Sequence, residues 1–100
     1  MHLIQLARCQ WLVVDTRYRA RFLIVEGPLV FHETGDTHVK HRVEWWAPDP
    51  QGRQVLTVCD GLLAAETWCL GEIAKADAAR AALSDRLDVR RQGPIRDGRA

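Results

Sequence analysis

From Thr37 to Trp46 the chain alternates: Val39, His41, Val43 and Trp45 are interleaved with His38, Lys40, Arg42, Glu44 and Trp46. Period two over this length is the period of a half-buried strand. The flanking runs LVFHETGD and QVLTVCD are also β-branched and apolar, and turn-forming residues separate all three. Thr34-Gly35-Asp36 lies on one side, and Pro48-Asp49-Pro50-Gln51-Gly52 on the other. The pattern predicts a β-meander with Thr37–Trp46 as its central strand.

Upstream, Arg17 to Val25 alternates as well, with Arg17, Arg19 and Arg21 on one face and Tyr18, Ala20, Phe22 and Ile24 on the other. Gly27-Pro28 should end that strand, because proline fixes φ and removes a donor. WLVVD predicts a further strand over about 10–15, joined through a tight turn at Asp15-Thr16. Residues 2–9 fit either the first turns of a helix or a strand.

Past Cys59 the period changes. Leu62, Ala65, Cys69, Ile73, Ala76, Leu83 and Leu87 recur at three and four residues, interrupted by Arg80, and describe a helical stripe. Asp60-Gly61 reads as a hairpin turn or as a helix cap. Gly71 costs a helix about 1 kcal/mol relative to alanine and suggests a break. The expected architecture is α+β: a four- to five-stranded antiparallel β-sheet packed on a C-terminal helical segment. One domain covers 1–88, and a basic tail, disordered for want of anything to bury, covers 89–100.

Composition narrows the class without changing this picture. Hydrophobic residues make up 47% and charged residues 27% of 100, as in an ordinary globular domain. Net charge is only +1, but it is unevenly laid out: residues 1–22 carry +3, residues 23–85 carry −5 and residues 86–100 carry +3. Arginine dominates the bases, as a GC-rich bacterial genome would favour; guanidinium forks also suit carboxylates and phosphates. The N-terminal stretch lacks the basic n-region and clean apolar core of a signal peptide, and no apolar run reaches the roughly twenty residues of a membrane span. Cys9, Cys59 and Cys69 form no CxxC pair, so reduced thiols and a cytoplasmic location are expected.

No catalytic residue, metal site or cofactor stands out. His38 and His41, three apart on a strand, face opposite ways and cannot chelate one ion together. Cys59 beside Asp60 lacks a helix N-terminus or a motif that would lower its pKa. Trp11 and Trp68 read as core. Trp45 continues the Val39–Val43 face and is expected in the core, which leaves Trp46 with Lys40, Arg42 and Glu44 on the other face as an interface anchor. The candidate binding residues are therefore Arg17, Arg19, Arg21, Lys40, Arg42 and Trp46.

These residues suit a small stand-alone protein-binding module of inhibitor or adaptor type. It would act by surface occupation, without catalysis, on a protein with an acidic surface; a homo-oligomer is compatible with this. The alternative is nucleic-acid binding by the arginine face and basic tail, with Trp46 or Tyr18 stacking a base. The acidic middle and a pI near 7.8 weigh against it.

Overall fold

The structure is a computed structural model in which residues 1–87 are described with their side chains. Five strands precede one helix: β1 (His2–Ala7), β2 (Gln10–Val14), β3 (Ala20–Val30), β4 (Thr37–Trp45), β5 (Val55–Cys59) and α1 (Leu62–Arg99). The strands lie in sequence order, each antiparallel to the next, so the α+β meander is as the period-two segments predict. The side chains of 88–99 and the whole of Ala100 lie outside the described residues, and the expected basic tail over 89–100 falls among them. The chain divides into two compact units, Met1–Leu70 and Gly71–Ala100.

In the first unit, register sorts the side chains by face. Residues directly opposite one another share a face, so Leu3, Val13, Phe22 and Trp45 form one cross-strand row. Gln5, Trp11, Ile24, Val43 and Thr57 form the next. This face lies under the start of α1. The Trp68 ring meets Phe22 edge-on at 5.7 Å, and Val13, Phe22, Ile24, Val43, Ala65 and Cys69 are all buried. Gly61 supplies the carbonyl that accepts from the Ala65 N–H and so opens the helix; the Asp60 side chain turns instead to Lys40.

Four expectations are revised. Residues 2–7, left open between helix and strand, form β1, an edge strand whose side chains are mostly exposed; that exposure explains its weak pattern. β3 does not end at Gly27-Pro28, because Pro28 stays in register opposite Val39. The Arg21 carbonyl accepts from the Trp46 N–H, so odd positions of β3 bond to β4 and even ones face β2. β2 pairs only as far as Val25, so the N–H that Pro28 lacks points past the end of β2 and no ladder bond is lost.

Third, the arginine row is not a strand face. β3 starts at Ala20, and 15–19 form a turn in which one Asp15 carboxylate oxygen accepts from the N–H groups of Arg17 and Arg19 at 2.8 and 3.0 Å. Between them Tyr18 adopts φ 61°, the left-handed region. Finally, α1 runs through Gly71 without a break; a Cβ there would meet nothing within 4 Å.

The second unit is the continuation of α1. Lys75–Glu72 and Arg80–Asp77 ion pairs at 3.1 and 3.4 Å brace it at i,i+3 spacing. Ile73 is buried, while Leu83 and Leu87 are exposed.

Candidate binding face and a cysteine–histidine row

The face of the sheet opposite Phe22 is open. Ile4, Leu12, Leu23 and Glu44 lie in one cross-strand row and Gln10, Val25, Arg42 and Val58 in the next, with Val55 opposite Glu44 beyond a bulge. Leu23 at its centre is 2% exposed, whereas Ile4, Val55 and Val58 at the two outer strands are 47%, 53% and 41% exposed. An antiparallel sheet commonly leaves one face solvated, but that face then reads polar. Here β1, β2, β3 and β5 present mainly apolar side chains, while β4 presents Lys40, Arg42 and Glu44, each paired with an opposite charge.

Of the six candidate binding residues, Lys40 and Arg42 stand on this face, opposite Gly27 and Val25. Arg42 Nε lies 3.2 Å from Glu44 Oε2, two residues along the same strand. Lys40 Nζ is paired with the Asp60 carboxylate, and that bond, followed by the charge of the ammonium, holds Asp60 below the ordinary carboxylate value. Arg21 sits at a bulge between β2 and β3 and contacts Asp15 Oδ2 at 3.2 Å. Arg17 and Arg19 are exposed in the turn, apart from the strands. The six therefore do not converge on one basic patch; three of the five cations carry an acid of their own.

The tryptophans divide differently from expectation. Trp45 lies on the helix-covered face, edge-on to Phe22 at 5.8 Å, but at its margin, and it is 48% exposed rather than core. Trp46 turns to the other side and is half-buried, because the Arg53 guanidinium lies 4.6 Å from its ring centroid. Arg53 is fixed in turn by donating from Nε to the Ala47 carbonyl at 2.8 Å, within the turn that holds the 3-10 segment Pro50–Gly52. That cover depends on contacts between separate segments and leaves no trace in the alternation of β4.

On the helix-covered face, register sets Glu26, His41 and Cys59 side by side across β3, β4 and β5. His41 Nε2 is 3.4 Å from Glu26 Oε2, and its ring lies 5.9 Å from that of Trp11. Such a row has the residue types of a nucleophile, a base and an orienting carboxylate. Two observations tell against that chemistry. Burial, then the Asp60 charge, pushes the Cys59 thiol up, away from the reactive thiolate. And His41 Nδ1 is buried with no partner among the described residues, so it makes no hydrogen bond to the thiol. Glu26 is the member that sequence reading missed, since nothing in the local pattern signals its position opposite His41.

His38 and His41 fall on opposite faces, as alternation requires, and no group of three or more metal-ligating side chains comes together among the described residues. At the far end of the β3–β4 hairpin an open depression of about 640 Å³ is lined by Phe31, His32, Glu33, Asp36, His38 and Lys40, among others. No helix among the described residues is long and apolar enough to cross a membrane. Compared with family models, curated proteins and solved structures, the chain matches none.

Proposed function

We propose that this chain is a small protein-binding module that works by occupying a protein surface with the open face of its sheet, as an inhibitor or adaptor does, rather than by catalysis. The observation that carries the reading is the set of exposed apolar side chains at the two outer strands of the open face, Ile4 on β1 and Val55 and Val58 on β5, with the buried Leu23 and the paired Arg42 and Glu44 between them. Exposed apolar side chains gathered on one face of a sheet and interspersed with paired charges are the kind of patch that marks a contact surface. A partner adapted to it is mixed in charge, because Arg21, Lys40 and Arg42 already have Asp15, Asp60 and Glu44. The same pairing removes free positive charge that a nucleic-acid backbone would need.

The test uses the full chain as bait in cell extract, comparing wild type with an Ile4→Lys, Val58→Arg double variant and quantifying both protein and nucleic acid. Both side chains are more than two-fifths exposed, so the variant is expected to keep its fold, checked by circular dichroism. The expected result is a stoichiometric protein partner recovered by wild type and lost with the variant. Equal recovery by both removes the open face as the contact. Recovery of nucleic acid that disappears with salt and with Arg17→Ala, Arg19→Ala supports the alternative instead.

A further inference from the structure

We propose that the occupant of the open face is a second copy of this chain, docked face to face about a two-fold axis. This rests on the reading of that face as a protein contact and names its partner. Three features favour a copy over a foreign surface.

The first is charge. Beside the centre of the face, β4 carries one base and one acid, Arg42 and Glu44, on the same side and two residues apart. A two-fold axis through that point sets Arg42 of each copy against Glu44 of the other, and a contact related by such symmetry needs a patch that is its own complement. A strongly acidic or basic partner would instead leave one of the two groups facing its own sign. The second feature is the balance of the whole chain: at +1, net charge puts little repulsion between copies.

The third is shape. Five strands at about 4.8 Å spacing make a face about 20 Å wide, and sheets stack about 10 Å apart when their inner faces interdigitate. The patch supplies apolar side chains for such a contact at its outer strands (Ile4, Val55, Val58), and a two-fold that opposes Arg42 and Glu44 lays each strand over its own copy, so β1 meets β1 and β5 meets β5. A footprint of about 20 Å by 20 Å is smaller than the roughly 800 Å² per partner of a standard interface, so the pairing is weak and set by concentration. A foreign protein that uses the same face then competes with the second copy.

Sedimentation equilibrium of the wild-type chain from about 1 to about 500 µM, a range that brackets weak association, reads this directly. The expected result is a monomer–dimer equilibrium inside that range. Ile4→Lys and Val58→Arg should each weaken it at least about tenfold, the size of one lost anchor contact. Leu63→Lys, on an exposed position of α1, should leave it unchanged.

The charge argument has its own signature, which a misfolded variant cannot mimic. R42E places two acids on β4 of the face and E44R places two bases there. Each alone should be monomeric, and an equimolar mixture should recover the dimer. Wild type that stays monomeric to about 500 µM overturns the second-copy assignment while leaving the protein-binding reading standing, which fails separately if Ile4→Lys, Val58→Arg does not alter recovery of partners. A dimer that survives the face substitutions but is lost with Leu63→Lys, or R42E and E44R chains that do not associate when mixed, overturns it equally.

Discussion

Asp15 is the buried acid among the described residues, 2% exposed, and it organises the β2–β3 turn. One oxygen accepts the Arg17 and Arg19 N–H groups and the other faces the Arg21 guanidinium. The Arg19 N–H does most to hold its pKa below the ordinary carboxylate value; burial opposes this, and the Arg17 N–H and Arg21 add to the lowering. The stability this carboxylate contributes is complete above the ordinary carboxylate range. It is withdrawn as pH falls below that range, through the lowered value. Asp15→Asn should therefore lower the melting temperature by several degrees at neutral pH, and the gap to wild type should close on acidification; a gap independent of pH would show that charge is not what holds the turn. A second prediction concerns the aromatic edge. Phe22 is 2% exposed and Trp45 48%, so Phe22→Ala should cost about 3–5 kcal/mol in a denaturant titration and Trp45→Ala about half of that. Equal losses would mean that Trp45 is sealed by more than Phe22. The reason alternation placed Trp45 in the core is plain: alternation assigns a face, and only the end of the helix cover decides how much of that face is dry.

At the scale of the element, strands β3 and β4 were legible because one of their faces is buried, and burial is what writes period two into a sequence. β1 was not, because both of its faces are largely exposed and nothing selects an alternation there. The start of β3 was misplaced for a related reason. Arg17, Arg19 and Arg21 alternate with Tyr18 and Ala20 as a strand would, but the Asp15 side chain offers the backbone of 17 and 19 a competing set of acceptors. In α1 the break expected at Gly71 does not occur, since a helix tolerates one exposed glycine when both neighbouring turns are good formers. Open space around that position allows a direct test: Gly71→Ala should raise stability by about 1 kcal/mol, read as a shifted denaturant midpoint with unchanged slope. A loss would mean that the helix bends at this point.

At the scale of the molecule, the candidate site is a face, and a face is a property of pairing. Lys40, Arg42 and Glu44 were visible as one side of one strand. That Ile4, Leu12, Leu23 and Val58 share that side follows only from the registers of four strand pairs, and a single one-residue slip would be enough to move any of them across. The same is true of Glu26, His41 and Cys59, which come from three strands and meet as neighbours.

The sequence by itself determined the class and most of the element order. Apolar period, turn chemistry and a switch from period two to period three-four are local quantities, and each is recorded within about ten residues. Only the tertiary structure decided which cations are neutralised, which tryptophan is covered and which side of the sheet is left bare. Those outcomes depend on pairs such as Lys40 with Asp60 and Trp46 with Arg53, which are brought together by strand register and turn geometry rather than by any pattern in the chain between them.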